Sequence, residues 1–322
     1  MENISAPYIA NLYEYGSYHG IDENTLRRFL NKINLDVCSP SNTINPLEFE
    51  NTFSALYENS NDEYFGLHFG SFLNLKSLGL IYQLSLEASN LKQAVFLMKE
   101  YFINTFPIIQ LETEESETHF EIKLNCSLKN SELRIQLLDT IVCFLYREIS
   151  QMVTAEYLPQ VRVPQTYIDE FSQFLNVEIE QGGDYLILFD KSVSKIPINK
   201  KRLNELEILL PKFLQLLDEN KPQYGVFSTQ VRNMILNMCN PELPNFEQVA
   251  KQFPLSSRTI QRKLTAEGFS FRKITDNIKR ELSIYLSKGK SMKTQDIAYI
   301  LGFSEPSAYL HAVKRWKTGV GI

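Results

Sequence analysis

At 322 residues the chain is long enough for two domains, each burying its own core. Hydrophobic content of 43% and charged content of 22% describe an ordinary globular protein and exclude a low-complexity or fibrous one. The net charge of −5 argues at first against nucleic acid, but residues 1–224 carry 18 basic and 31 acidic side chains and residues 225–322 carry 15 and 7. A basic module on an acidic body is the electrostatic footprint of a tethered nucleic-acid reader.

The start, Met1-Glu2-Asn3-Ile4-Ser5, lacks a basic and apolar signal sequence, and no apolar run approaches the ~20 residues of a membrane span, which predicts a cytoplasmic protein. In chain order, apolar residues at helical spacing predict helices over about 7–18, 22–32, 45–59, 90–104, 130–152, 165–174 and 200–218. Alternating patterns predict strands near 106–113, 118–125, 176–180 and 185–189, the last flanked by a Gly182-Gly183 turn. The first 224 residues therefore read as an α+β domain, mainly helical. Tyr82, Tyr101, Phe102, Phe106, Phe144 and Tyr146 are candidates to line an apolar cavity, or to be plain core. The helix at 200–218 and the Asn220–Gly225 stretch read as the join.

The last 80 residues change character. Asn245 with Gln248 is a capping-box pattern, and Phe246, Val249, Ala250 and Phe253 follow on one helical face. Pro254 stops that helix, and Ser256 or Ser257 caps a second that runs from Arg258 to about Glu267 and ends at Gly268. Ile260 and Leu264 point inward. Arg258, Gln261, Arg262 and Thr265 share the opposite face, offering two guanidinium forks and an amide suited to guanine and adenine edges. Lys263 lies to the side, where it suits phosphate.

From Ser270, the stripe Phe271, Ile274, Ile278 and Leu282 predicts one helix ending near Gly289, with Arg272, Lys273, Lys279 and Arg280 wet. A strut of this kind, roughly 25 Å long, would hold two recognition helices about one DNA turn apart. The run Ile297-Ala298-Tyr299-Ile300-Leu301-Gly302-Phe303-Ser304-Glu305-Pro306-Ser307 then predicts a second unit, with Gly302 at the corner, Phe303 as its plug and Ser304 as cap. Its recognition helix, Glu305 to about Trp316, turns Tyr309, Ala312, Val313 and Trp316 inward and Ser307, Leu310, His311 and Lys314 outward. Base reading there would rest on Ser307, His311 and apolar contact from Leu310 with a thymine methyl, with Arg315 and Lys317 toward phosphates.

These residues resemble the AraC-type (arabinose-regulator, AraC/XylS) family of bacterial transcription factors. The resemblance covers about Phe227 to Gly319 and is closest at residues 256–264, 267–272 and 297–307. Segments such as Ser77-Leu78-Gly79-Leu80 and residues 90–94 are similar to the family's arabinose-binding-domain-like sensor. The resemblance implies a sensor/dimerisation domain over 1–224 and an all-α DNA-binding domain over 225–322. In the latter, helix-turn-helix units at 245–268 and 293–317 flank a linker helix at 270–288. It also implies a homodimer, a small-molecule effector of unknown identity and RNA polymerase as a partner at promoters. Two departures stand out. The family commonly carries Arg where this chain has His311, and it continues past Thr318-Gly319 with a further short helix, without which Val313 and Trp316 would be poorly covered.

No catalytic constellation is expected. Cys38, Cys126, Cys143 and Cys239 have no paired spacing and make no metal-ligand pattern with His19, His68, His119 and His311. Cys143 is expected to be buried and Cys38 exposed. Phosphate loops, dinucleotide fingerprints and nucleophile elbows are missing, and Glu114-Glu115 reads as a wet turn between strands. Neither a cofactor nor a metal is implied. The rival readings are a ligand-independent or architectural DNA binder whose first domain only dimerises, and an enzyme with a DNA-binding tail.

Overall fold

The computed structural model describes residues 3–19, 21, 24–25, 42–73, 88–164, 166–218, 225–239, 242–288 and 292–318. The chain divides into two compact units, Met1–Leu203 and Asn204–Ile322. The first holds α1 (Pro7–Tyr18), α2 (Pro46–Ser60), α3 (Phe65–Phe72), α4 (Leu91–Thr105), α5 (Ser131–Met152) and α6 (Ile168–Leu175). Asparagines start three of these helices, because an Asn side chain accepts from the first free backbone N–H groups. Asn45 forms a capping box with Glu48, Asn90 accepts from Gln93, and Asn130 accepts from Glu132 and Leu133.

Strands β1 (Ile4–Ser5) and β2 (Thr43–Ile44) pair antiparallel. A second sheet combines β3 (Ile109–Glu115), β4 (His119–Cys126), β5 (Gln160–Val163), β6 (Ile179–Gln181) and β7 (Tyr185–Asp190) in the order β3-β4-β7-β5-β6. Although β6 and β7 flank the Gly182-Gly183 turn, they are not partners. The unforeseen β5 lies between them, parallel to β6 and antiparallel to β7. Glu114 and Glu115 are not in a turn either. They end β3, paired with Glu121 and Phe120, and Glu115 reaches Lys92 at 2.5 Å.

The core of this unit is built on α5, which packs against α3. A β-carbon at Gly66 would stand 2.2 Å from the Gln136 carbonyl oxygen, and one at Gly70 would stand 2.6 Å from that of Thr140. The glycines let the two backbones touch, and the Gly66 N–H donates to Gln136 Oε1 at 2.7 Å. Helix α3 is apolar on nearly all sides and only eight residues long, so it shows no amphipathic period. Near it, buried Asp139 accepts from Tyr167 at 2.5 Å and Tyr185 at 2.7 Å. Burial pushes its carboxyl up to about 7, against the pull of the two tyrosine hydroxyls.

The aromatics expected around a cavity are mostly core. Phe102, Phe144 and Tyr146 are buried, and Phe102 and Phe144 meet edge to face at 6.2 Å. Only Phe106 of that set lines the small apolar cavity found here, with Tyr8, Phe49, Phe69, Leu137 and Ile141. That cavity offers about 10 Å³, on the scale of a single water. Tyr82, Cys38, residues 77–80 and most of the expected helix at 22–32 lie outside the described residues. Cys143 and Cys239 are buried, and no group of metal-holding side chains occurs among the described residues.

Helix α7 (Lys200–Asp218) crosses the division between the units. Six more helices follow it among the described residues of the second unit: α8 (Val226–Asn237), α9 (Phe246–Ala250), α10 (Ser257–Ala266), α11 (Phe271–Lys288), α12 (Thr294–Ile300) and α13 (Pro306–Thr318). Val231, Met234 and Ile235 of α8, Ile260 and Leu264 of α10, and Ile274, Ile278 and Leu282 of α11 are all buried. No described helix is long and apolar enough to cross a membrane.

Candidate nucleic-acid interface

The first helix-turn-helix is α9, a turn and α10. Asn245 accepts from the Gln248 N–H at 2.9 Å, and Gln248 returns a bond to the Asn245 N–H at 2.9 Å. That box starts α9, whose Val249 and Ala250, with Phe253 beyond, are buried. Ser256 starts α10 by accepting from the Thr259 N–H at 3.2 Å. Gly268 lies beyond the helix with φ of +78°. With α10 held on Ile260 and Leu264, the residues Ser257, Arg258, Gln261, Arg262 and Lys263 are all exposed. Arg258, Gln261 and Arg262 thus stand together on the free face.

Lys263 is less free than its exposure suggests. Its ammonium sits 5.0 Å from the centre of the Phe227 ring. Beside it, Glu267 accepts from the backbone N–H groups of Phe227 at 3.0 Å and Ser228 at 2.7 Å. Partial burial raises the Glu267 carboxyl, but the Ser228 and Phe227 donors, with Lys263, outweigh it and leave the group below its ordinary range. Glu267 therefore caps α8 from the end of α10. Nothing in the local sequence signals this bond, since the partners are 39 and 40 positions apart.

The strut α11 is as long as its stripe predicts. Its 18 residues span about 27 Å at ~1.5 Å per residue. Lys279 was expected to be wet and is not. Its ammonium lies 4.5 Å from the centre of the Phe303 ring, and burial holds it below the ordinary lysine range. Phe303 plugs the corner, so the ring that fills the turn also faces the lysine ammonium.

In the second unit, Ile297, Ala298 and Ile300 of α12 are buried, and Gly302 turns the chain at φ of +70°, a conformation that a side chain resists. On α13, Tyr309 and Ala312 are buried while Ser307, Leu310, His311 and Lys314 are exposed. The structure brings these four together on one face. Arg315 does not join them: its Nη2 pairs with Asp276 of the strut at 2.8 Å. Trp316 packs edge-on against Phe303 at 6.4 Å, and its buried Nε1 has no hydrogen-bond partner among the described residues.

The chain is similar to known transcriptional regulators over much of its length. The family model for the arabinose-binding domain of AraC transcription regulators matches residues 25–173, inside the first unit. The ornithine utilization regulator of Pseudomonas aeruginosa is 21% identical over 86% of this chain and 83% of its own length. The helix-turn-helix-type transcriptional regulator VqsM of the same organism is 21% identical over 78% of this chain and 80% of its own. The crystal structure of the transcriptional regulator CdpR, also from P. aeruginosa, aligns with 91% of this chain and 94% of its own at 18% identity, with a TM-score of 0.39.

Proposed function

We propose how this chain, which belongs to the AraC-type transcription regulators, does its work: it reads two successive major-groove segments of DNA, under control of a small molecule held by its first domain. It is a regulator and not an enzyme. The observation that carries the reading is the pair of exposed helix faces, α10 and α13, mounted on the single strut α11. On α10, Arg258 and Arg262 suit guanine O6 and N7, and Gln261 suits adenine. Ser257, at the helix start, is placed for phosphate or a nearby base edge, and Lys263 for phosphate. On α13, Ser307, Leu310 and His311 form a weaker reading surface, with Lys314 toward the backbone.

Effector control, supported by the match to an arabinose-binding domain, completes the proposal, with self-association through residues 1–224 and contact with RNA polymerase following from the family resemblance alone. The cavity beside Tyr8 and Phe106 is too small for a metabolite. An effector bound there would have to select a more open state of the first domain. Thermal unfolding of the full chain against a broad metabolite set tests this. An effector must raise the melting temperature and also change affinity for the selected DNA. A stabilising compound that leaves DNA affinity unchanged contradicts effector control. Silence across the set favours the ligand-independent regulator.

A further inference from the structure

We infer that Arg315 is a strap between the second recognition helix and the strut rather than a phosphate contact, and that it is one rung of a polar ladder fixing the angle at which α13 is presented. Three contacts carry this. Asp276 pairs with Arg315 at 2.8 Å. Lys279 lies over the Phe303 ring at 4.5 Å. Ser283 Oγ and Tyr309 Oη share a buried hydrogen bond at 2.8 Å. Asp276, Lys279 and Ser283 stand at i, i+3 and i+7 of α11, one side of the helix beside the apolar stripe of Ile274, Ile278 and Leu282.

The rungs differ in what they hold. The Ser283–Tyr309 bond lies in the packed seam and sets how deep α13 sits. The Lys279–Phe303 contact fixes the corner before α13. The Asp276–Arg315 pair acts near the far end of α13, about six residues beyond Tyr309 and so roughly 9 Å along the axis. Fastening a rod at two points separated along its length fixes its tilt, which one point cannot do. A guanidinium committed to Asp276 offers DNA less charge than its sequence position suggests. The presented face is then left to Ser307, Leu310, His311 and Lys314.

The inference rests on the proposal that α13 meets DNA, but its first test does not. In DNA-free full-length protein, Asp276→Ala and Arg315→Gln should each speed amide hydrogen exchange across Pro306–Thr318 and leave Ser257–Ala266 unchanged. Tyr309→Phe, which keeps the ring, should do so more. The second test uses DNA carrying the selected site. Each single variant should lose about two- to five-fold in affinity, the range of a half-exposed ion pair. The double variant should lose no more than either single one, and the salt dependence should keep its slope. A phosphate contact behaves otherwise: Arg315→Gln would flatten the salt slope by about one, and Asp276→Ala would leave binding unchanged or tighter. That pattern, or unchanged exchange in both variants, overturns the strap. Exchange that responds as expected in a protein without sequence preference for DNA would uphold the strap and overturn the proposed function instead.

Discussion

The two helix-turn-helix units share a scaffold and differ in where their charge goes. In the first, Arg258 and Arg262 face outward, and α10 is held by buried Ile260 and Leu264 and by Glu267 at its end. In the second, the arginine is paired to the strut, and the outward face offers a hydroxyl, a leucine, a histidine and one lysine. The starts differ as well: Ser256 caps α10, whereas α13 begins at Pro306. The lesson is that a unit's place in the sequence pattern does not set its role. The first unit leaves Arg258 and Arg262 exposed, and the second has its arginine paired to the strut.

This contrast predicts a ranking of substitutions. The largest effect should come from Arg262→Ala, a loss of about 1–3 kcal/mol on the best site with one base position relaxed. Competition binding against single-base site variants measures it, and an equal loss on every sequence would make Arg262 a phosphate contact. Next is Glu267→Ala, which leaves the Phe227 and Ser228 N–H groups without their acceptor. It should lower the stability of the second compact unit by about 1 kcal/mol, the usual scale of a lost cap, as read by chemical denaturation. No loss would mean that Glu267 merely touches α8. His311→Arg should tighten binding about three-fold by adding a guanidinium fork to the weak face. An unchanged affinity in titration would place that face outside the interface. The smallest effect should be Lys314→Ala, a uniform weakening that flattens the salt slope by about one.

Much of the fold was legible because its elements carry strong local signals. Asn45, Asn90, Asn130, Asn245 and Ser256 each start a helix where their side chains demand one. The exposed face of α10 followed from 3.6-residue spacing alone. Hidden elements are those whose partners lie far away in sequence. Helix α3 is buried on nearly all sides and so has no period to read, and β5 is four residues long and gains its place only between β6 and β7. The same reason hid the contacts that tune the interface. Glu267 to α8, Asp276 to Arg315 and Lys279 to Phe303 all join residues more than 20 positions apart. Spacing showed which side chains share a helix face, but not which of them a neighbouring helix had already engaged.

The central claim is that two unequal readers act from one strut. Selection of the purified full-length protein on random duplex DNA, with the affinity of the winners followed against salt, tests it most directly. The account predicts two enriched motifs about one helical turn apart, roughly 10 base pairs. One should be sharply defined and read by Arg258, Gln261 and Arg262, the other looser and richer in A·T where Leu310 meets thymine methyls. Binding that falls steeply with salt and enriches no motif would contradict it and leave a nonspecific basic module.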